Sequence, residues 1–435
     1  MAGINRRELG AGFAAATATL PLGSFAIAQA RPRIVVIGGG PGGATVASTL
    51  ARAAGNLDIT LIEAERAYTT CFFSNLTLGG FRSRDSIRHG YDGVSRLGVK
   101  VVHERASAID TTARTVRTDG GATFAYDRLV VAPGIAFKFG AIEGLTPAVS
   151  AQEMPHAYSG ATQIDVLARQ LDAMRDGGTV VIAPPRNPYR CPPGPYERAC
   201  LIAHYLKTRK PKSKLVIIDP KNAFSKQELF VEAFKRYYDG IVELNLTNEI
   251  DDYALAKVDA KAMTLTTKAG ETYTADLANV IPDQRAGEIA IAAGLADGDW
   301  CPVDPETFRS RKAQDVYVLG DAAVATEMPK SAYAANSQAK VVAGDILAVL
   351  AGKPKSSPAF RNTCWSMLAP DDSVKLGADY VPKSGRLEAA APFISKAGEG
   401  AAQRLANYEE STGWYATIVE DVFANGVAPA AGKRG

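Results

Sequence analysis

A glycine-rich turn at residues 38–43, with the sequence GGGPGG, constrains the fold of this chain more than any other feature. The short run at residues 33–37, RIVVI, enters the turn without a polar interruption, as a buried parallel strand requires. Residues 44–54 then have the composition of a helix. Strand, turn and helix together predict a βα unit that binds the phosphates of a dinucleotide at the helix N-terminus, where free N–H groups favour anions.

Three glycines of the turn have separate tasks in this interpretation. Gly38 permits the tight turn, Gly40 lets the backbone approach the pyrophosphate, and Gly43 lets the helix pack closely on the strand. A second predicted strand, residues 58–62, ends at Glu63, whose carboxylate has the spacing to accept hydrogen bonds from both ribose hydroxyls. An accidental glycine-rich turn is the alternative, but it does not explain the strand and the acid. We therefore predict that these four residues bind the cofactor.

The kind of dinucleotide is indicated further along the chain. Residues 315–323, DVYVLGDAA, form another predicted buried strand that ends in Gly-Asp. This segment resembles the second FAD fingerprint of two-dinucleotide-domain flavoproteins, in which the aspartate, here Asp321, binds the ribitol chain. The helix after it, predicted over about residues 331–350, points its N-terminus at the flavin in that family. Residues 126–134, YDRLVVAPG, fit the strand and turn that leave an FAD domain, and alone they are also consistent with an ordinary strand and Pro-Gly turn.

A second βαβ pattern follows, with strands at residues 179–183 and 214–218 and a helix at about 196–207. In pyridine-nucleotide flavoenzymes this copy holds NAD(P)H. Here the turn at residues 184–195 contains one glycine and six prolines. Proline offers no N–H to a pyrophosphate and cannot take a positive φ, so we predict a Rossmann-like domain without a nicotinamide site.

The proline-rich turn contains Cys191, and Glu197 follows it near the start of the helix. A cysteine beside a helix N-terminus has its thiolate stabilised, which favours redox chemistry. The alternative is a buried structural cysteine.

Three cysteine contexts carry a more specific resemblance: YTTCFFSN at residues 68–75, CPPGPYE at 191–197 and NTCW at 362–365. Together with the dinucleotide fingerprints, these contexts resemble the flavoprotein subunit of flavocytochrome c sulfide dehydrogenase. The resemblance extends over nearly the whole chain after the first thirty residues. The resemblance includes the related flavoprotein encoded with sulfur-oxidation systems. The cysteine contexts are the specific part, because many disulfide reductases share the fingerprints.

The resemblance implies roles for three cysteines. Cys71 would form a thioether to the 8α-methyl group of FAD, although Phe72 stands where the family has proline; a packing thiol with non-covalent FAD is the alternative. Cys191 and Cys364 would form a redox-active disulfide facing the flavin. The alternative is an ordinary stabilising disulfide, worth a few kcal/mol. No motif covers the last two cysteines, which we expect to be structural: Cys200 and Cys301.

The implied activity is FAD-dependent oxidation of sulfide to sulfur or polysulfide. Hydrosulfide would attack the disulfide, leaving a persulfide on one sulfur and a thiolate on the other. Glu197 is the predicted acid/base, because these steps move protons, with a solvated or N-terminal-turn carboxylate as the alternative. Trp414, where the family places an aromatic residue, would wall off the sulfur pocket, unless it is a core or interface residue. The four histidines show no ligand spacing, so no metal site is predicted.

The electron acceptor is expected on another polypeptide. The chain carries no Cys-x-x-Cys-His, so haem c would be held only by a partner, and the resemblance implies a heterodimer with a c-type cytochrome subunit. A sulfide:quinone oxidoreductase-like enzyme is one alternative, although residues 415–423 lack the basic character of an interfacial helix. A non-catalytic flavoprotein partner of a sulfur-oxidising complex is another. A net charge of +3 without long charge runs predicts no nucleic-acid partner.

The first thirty residues differ in kind from the rest. NRREL at residues 5–9 precedes an Ala- and Gly-rich stretch without charge, which predicts a twin-arginine signal cut after Ala30 and a periplasmic protein. An uncleaved anchor is the alternative. No other segment reaches eighteen consecutive apolar residues, so no stable membrane insertion is expected.

The predicted fold class is α/β, with two Rossmann-like dinucleotide-binding-type domains, similar to FAD/NAD-linked disulfide reductases, and a C-terminal α+β interface domain. The predicted boundaries are 1–30 for the signal peptide, 31–150 with 290–358 for the FAD domain, 151–289 for the second Rossmann-like domain, and 359–435 for the C-terminal domain.

Overall fold

The computed structural model describes residues 31–355 and 357–425, and the predicted twin-arginine signal lies outside the described residues. In chain order, the strands are β1 (Arg33–Ile37), β2 (Asp58–Ile62), β3 (Ala67–Thr69), β4 (Arg88–Gly90), β5 (Lys100–Val102), β6 (Ala106–Asp110), β7 (Thr115–Thr118), β8 (Thr123–Ala125), β9 (Arg128–Val131), β10 (Ile135–Phe137), β11 (Thr179–Ala183), β12 (Lys214–Asp219), β13 (Val242–Leu246), β14 (Leu255–Asp259), β15 (Thr264–Thr267), β16 (Thr272–Thr274), β17 (Leu277–Val280), β18 (Gln284–Ala286), β19 (Val316–Val318), β20 (Phe360–Ala369), β21 (Asp372–Lys383) and β22 (Arg386–Ile394). The α-helices are α1 (Gly43–Ala53), α2 (Ser74–Leu78), α3 (Asp92–Arg96), α4 (Pro147–Gln152), α5 (Gly160–Ala173), α6 (Gly194–Arg209), α7 (Gln227–Tyr237), α8 (Ile250–Tyr253), α9 (Glu288–Ala292), α10 (Ala332–Leu350) and α11 (Ala401–Phe423).

The first sheet has the strand order β19-β9-β1-β2-β5, with all neighbours parallel. In β1 and β2 every residue after the first is buried, as expected for strands covered on both faces. Strand β19 joins this sheet after the chain has formed the second one. The glycine turn lies between β1 and α1, where a Cβ on Gly43 would stand 2.0 Å from the carbonyl oxygen of Gly38. The close helix–strand packing predicted for Gly43 is therefore present.

The second sheet has the order β13-β12-β11-β17, also parallel. The predicted strands at residues 179–183 and 214–218 correspond to β11 and β12. Helix α6 begins at Gly194, two residues before its predicted start, because Pro195 is tolerated in a first turn whose N–H groups have no intrahelical partner. Two three-stranded antiparallel sheets, β6-β7-β8 and β14-β15-β16, flank the parallel sheets, and β10 pairs with β18.

The C-terminal part consists of the antiparallel sheet β20-β21-β22 and helix α11. It contacts both Rossmann-like parts. The end of α11 lies on α1, where the Ser48 hydroxyl donates to the carbonyl oxygen of Val422 at 3.3 Å. Strand β20 lies against the second part, where the Tyr238 hydroxyl donates to the carbonyl oxygen of Leu368 at 2.7 Å. None of the helices in the described ranges is both long enough and apolar enough to cross a bilayer.

Candidate active site

One cavity lies where the two Rossmann-like parts and the C-terminal sheet meet. Six residues predicted from the sequence line it: Cys71, Cys191, Glu197, Asp321, Cys364 and Trp414. The other four predicted residues, Gly38, Gly40, Gly43 and Glu63, lie at or beside the glycine turn, which reaches the same cavity through Pro41. The fold thus brings the three cysteine contexts and the Gly-Asp segment to one place.

Cys71 lies in the short connection between β3 and α2. Its carbonyl oxygen accepts hydrogen bonds from the Ser74 hydroxyl at 2.6 Å and from the Ser74 N–H at 3.3 Å, which fixes the start of α2. The thiol is partly exposed and lines the cavity. Phe72, which replaces the expected proline, packs against the rings of Trp414 and Tyr415, both at centroid distances of 5.6 Å.

Cys191 is held immediately before α6. Its N–H donates to the carbonyl oxygen of Lys330 at 2.8 Å, and its own carbonyl oxygen accepts from the Gly194 N–H at 2.8 Å. Its φ of 56° lies in the left-handed region, a conformation in which a non-glycine residue is uncommon. All five cysteines of the chain are free thiols in this structure, and Cys200 and Cys301 are fully buried in the hydrophobic cores.

The predicted stabilisation of the Cys191 thiolate is wrong for this structure. Burial raises the pKa of Cys191 well above its usual range, and the nearby Cys364 and Glu197 add to the shift. The start of α6 is close, but desolvation of the charged form outweighs it. Burial therefore disfavours the thiolate form of Cys191.

Cys364 lies on β20, opposite the start of α10. The Asn362 side-chain amide donates to the Cys364 sulfur at 3.4 Å. The orientation of that amide is fixed because its oxygen accepts a hydrogen bond from the Ser331 hydroxyl at 2.6 Å, and Ser331 also caps α10 by accepting from the Ala334 N–H at 3.0 Å. A cap of this kind satisfies one of the free N–H groups of the first turn.

Glu197 lies in the first turn of α6 and is held at both oxygens. Oε2 accepts from the Asn75 amide at 2.7 Å, and Oε1 accepts from the Met367 N–H at 3.0 Å. Burial raises the pKa of Glu197, while these two hydrogen bonds oppose the shift. Glu197 is therefore not a freely solvated carboxylate, although it does lie in the N-terminal turn of the helix, as the other half of that alternative held. It is a positioned group beside the sulfurs whose charge state can change near its raised pKa.

Asn75 and Arg198 were not assigned roles from the sequence. The Arg198 guanidinium, 2% exposed, donates through Nε to the Asn75 amide oxygen at 3.0 Å, so the NH₂ group of Asn75 must face Glu197. Arg198 also donates to the His156 carbonyl oxygen at 2.9 Å. Asn75 follows Cys71 closely and Arg198 is adjacent to Glu197, but no local pattern shows that the two segments meet.

Arg190 is a second functional candidate that the sequence did not reveal. It is 9% exposed, and its Nη1 lies 3.5 Å from Asp321 Oδ2. Although burial opposes the charge, Cys71, Asp321 and Tyr68 raise the pKa of Arg190 above its usual value. Among the described residues, neither Arg190 Nη2 nor Asp321 Oδ1 has a hydrogen-bond partner. A buried donor and a buried acceptor are thus available at the wall of the cavity.

Trp414 belongs to an aromatic cluster on the cavity wall. Its ring is stacked on Tyr333 at 5.7 Å with an interplanar angle of 2°, and it lies 5.2 Å from Trp365. Both partners also line the cavity. The position is consistent with the predicted role of excluding water from the sulfurs.

The residues at the glycine turn fit an extended dinucleotide. A Cβ on Gly40 would meet only the Tyr68 ring, at 3.3 Å, so the backbone here is open to a ligand. The Gly39 N–H donates to Glu63 Oε2 at 2.6 Å, and Glu63 lines a second cavity, together with Gly38, on the side away from the cysteines. The unpartnered oxygen of Asp321 is the acceptor that a ribitol hydroxyl requires. Glu63 would hold the ribose of FAD and Asp321 would hold its ribitol chain.

The corresponding carboxylate of the second sheet is already paired. Asp219, at the end of β12, is fully buried, accepts a hydrogen bond from the Tyr196 hydroxyl at 2.5 Å, and forms an ion pair with Lys221 at 2.5 Å. The Tyr196 ring is itself stacked on Phe224 at 3.5 Å. A fully buried ion pair, rather than an exposed carboxylate, therefore stands at this strand end.

Three segments of the chain match known protein families. Residues 164–282 match the family described as "Sulfide dehydrogenase [flavocytochrome c] flavoprotein chain, central", and residues 356–423 match "Flavocytochrome c sulphide dehydrogenase, flavin-binding". Residues 32–175 match "Pyridine nucleotide-disulphide oxidoreductase".

Individual relatives include two kinds of sulfide enzyme. The flavoprotein chain of sulfide dehydrogenase (flavocytochrome c) from Chlorobaculum thiosulfatiphilum is 46% identical over 43 residues, 10% of this chain and 90% of that sequence. The mitochondrial sulfide:quinone oxidoreductase of Mus musculus is 24% identical over 323 residues, 73% of this chain and 70% of that protein. Among solved structures, the sulfide:quinone oxidoreductase of Aquifex aeolicus has a TM-score of 0.70 at 18% identity, covering 91% of this chain and 93% of that one.

The fold and the site define a flavin-dependent oxidoreductase built on the pyridine nucleotide-disulphide oxidoreductase architecture, which confirms the predicted fold class and FAD binding. The chain belongs to the family of flavocytochrome c sulfide dehydrogenase flavoprotein chains, as the resemblance predicted. It is accordingly a flavin-dependent sulfide oxidoreductase.

Proposed function

We propose that this protein oxidises hydrosulfide to polysulfide or sulfur through a redox-active disulfide between Cys191 and Cys364, and passes the electrons through its flavin to a c-type cytochrome subunit. The observation that carries the proposal is the single cavity that both cysteines line together with Glu197 and the FAD residue Asp321. We place the reaction in the periplasm, after export by the twin-arginine route.

The proposed chemistry begins with the oxidised pair. Hydrosulfide attacks one sulfur, the S–S bond breaks, and its electron pair leaves on the other sulfur, giving one persulfide and one thiolate. A second hydrosulfide then takes the outer sulfur of the persulfide as hydrodisulfide, which leaves both cysteines reduced. FAD, when bound, would supply the two-electron acceptor for their return to the disulfide. Trp414 and Trp365 shield the sulfurs from water, and Glu197 takes up or supplies the proton that accompanies each change of sulfur charge.

Glu197→Gln is expected to slow the reduction of the flavin by sulfide by about 100-fold at neutral pH, as removal of a positioned general base does. Glu197 accepts a proton only when it is ionised. Because burial raises its pKa, the ionised fraction falls as pH falls through that raised value. The ratio of wild-type to variant rate should therefore shrink towards acidic pH. Anaerobic stopped-flow measurements of flavin absorbance across pH test this.

The ratio of the wild-type rate to the Glu197→Gln rate isolates the effect of Glu197, and a second variant serves as its control. The ionisation of hydrogen sulfide affects both proteins equally and cancels in the ratio. Glu228→Gln, which removes an exposed carboxylate from α7, should leave both the rate and its pH dependence unchanged. A Glu197→Gln variant with a wild-type rate at every pH would remove Glu197 from the mechanism.

We propose that Cys71 holds FAD covalently through a thioether. In support, its thiol lines the cavity and lies close enough to Tyr68 and Arg190 to interact with them electrostatically. Cys71→Ser is expected to keep FAD in the native protein, because the glycine turn is unchanged, but to release it on denaturation. An intact-mass spectrum under denaturing conditions should show one FAD on the wild-type protein and none on the variant. A wild-type mass without the addition would mean that FAD is held non-covalently.

The acceptor is tested directly by supplying purified protein with sulfide and either a c-type cytochrome or a short-chain quinone. Cytochrome reduction with a rate that depends on sulfide supports the proposal. The similarity to sulfide:quinone oxidoreductases favours quinone reduction as the second candidate. Turnover with quinone alone would replace the cytochrome proposal with it.

A further inference from the structure

A buried lysine lies next to the two sulfurs and has no part in the chemistry described above. Lys226 is 5% exposed, directly precedes α7, and has a φ of 62°, in the left-handed region. From this position its side chain crosses to β20, the strand that carries Cys364. Its Nζ donates to the carbonyl oxygen of Cys364 at 3.1 Å and to the Ser366 hydroxyl at 2.7 Å.

Both of these acceptors are uncharged, as they are for the buried Arg198 and Lys210, whereas two other buried cations have carboxylate partners. Lys221 is paired with Asp219, and Arg404 with Asp372. In the part of the chain that the structure describes, no carboxylate lies within ion-pair distance of Lys226. Burying an ammonium group without a charged partner costs free energy. We therefore expect such a group to stabilise an anion that forms during function.

The anions available to Lys226 are few. Glu197 interacts with it from α6, Cys191 from the turn before α6 and Cys364 from β20, and Tyr380 on β21 lies near Cys364. Burial lowers the pKa of Lys226 to about 8, and the strongest opposing interaction is with Cys364, followed by Glu197 and Cys191. The ammonium is therefore still mostly charged at neutral pH. Its strongest electrostatic interaction is with Cys364.

The two sulfurs have different polar surroundings. The Cys364 sulfur accepts from the Asn362 amide at 3.4 Å and, as a thiol, donates to the oxygen of the same amide at 3.7 Å, while the Cys364 carbonyl oxygen accepts from Lys226. For Cys191, burial raises the pKa of the thiol. In thiol–disulfide exchange the sulfur whose thiol is more acidic leaves faster.

We propose that Lys226 is a positioning residue whose charge makes Cys364 the thiolate that leaves when the Cys191–Cys364 disulfide is opened. Hydrosulfide then attacks the Cys191 sulfur, the S–S bond breaks with its electron pair on Cys364, and the hydrogen of hydrosulfide remains on the new Cys191 persulfide. The assignment of the two sulfurs rests on the disulfide mechanism proposed above. The effect of Lys226 on Cys364 does not require turnover.

The test is alkylation of the reduced holoenzyme by iodoacetamide under anaerobic conditions across pH, with peptide mass spectrometry to quantify Cys364 and Cys191 separately. In the wild-type protein, Cys364 should react at lower pH than Cys191. In Lys226→Met the Cys364 profile should move up by about one pH unit, which is roughly 10-fold slower alkylation at pH 7, since one pKa unit is a tenfold change. The Cys191 profile should move less, and Lys226→Arg, which keeps the charge, should restore most of the wild-type profile.

Lys235→Met is the matched control, because Lys235 is an exposed lysine on α7. It should change neither profile. Lys226→Gln, which keeps a hydrogen-bond donor without the charge, replaces Lys226→Met if the latter does not fold. An unshifted Cys364 profile in a folded, uncharged variant overturns the proposal, and so does a wild-type protein in which Cys191 reacts at lower pH than Cys364. Failure of sulfide to bleach wild-type flavin would instead overturn the proposed function, with the alkylation profiles unaffected.

Discussion

Replacing either Cys191 or Cys364 with serine is expected to slow the reduction of the flavin by sulfide at least ~10³-fold, because groups that act as a unit fail together when one is removed. A hydroxyl can neither form the disulfide nor carry the persulfide. The two variants should therefore be almost equally inactive, while FAD stays bound through the glycine turn. Anaerobic mixing with sulfide, followed by flavin absorbance, measures the effect.

Cys301→Ala provides the control, because Cys301 is a fully buried thiol in the core of the first sheet. Sulfide should bleach the flavin of this variant at close to the wild-type rate. If the serine variants were bleached as fast as the wild-type protein, the disulfide would have no part in sulfide oxidation. That result would favour the non-catalytic flavoprotein partner considered from the sequence.

Gly43→Ala is expected to destabilise the FAD-binding part by about 3 kcal/mol or more and to lower the FAD content of the purified protein. The added Cβ would lie 2.0 Å from the carbonyl oxygen of Gly38 and 3.0 Å from a methyl carbon of Val36. Backbone cannot yield as a flexible side chain does, so α1 must move away from β1. Its N–H groups would then no longer face the pyrophosphate. The thermal midpoint and the ratio of FAD to protein report the two effects.

Gly55→Ala is the matched substitution, since nothing lies within 4 Å of the Cβ that it adds. It should change the free energy of unfolding by no more than ~0.5 kcal/mol and leave the FAD content unchanged. A Gly43→Ala protein with a wild-type thermal midpoint and full FAD would show that the helix can shift without cost.

The sequence was sufficient to predict those features that depend only on residues adjacent in the chain. The strands at 33–37 and 58–62 were predicted with the bounds that the structure has, because uninterrupted apolar runs fix a buried strand. Gly43 was predicted from its place in the turn alone. The absence of a nicotinamide site from the second Rossmann-like domain stays a prediction, based on the lack of N–H groups at the prolines of its turn.

Other features depend on contacts that no local pattern encodes. The closeness of Cys191 and Cys364 came from the family resemblance, because only the packing of β20 against α6 brings them together. The predicted thiolate at Cys191 failed because the sequence shows a helix start but not the depth of burial, and desolvation outweighed the helix. Lys226 carried no signal at all, since its importance arises from a side chain that crosses to another strand.

The residues at the start of α10 position both Cys191 and Cys364. The N–H of Cys191 is bonded to the carbonyl oxygen of Lys330, and the next residue, Ser331, holds Asn362 beside Cys364. Two cysteines that lie 173 positions apart in the sequence are thus positioned by two adjacent residues. A substitution at Lys330 or Ser331 is therefore expected to disturb the positions of both cysteines.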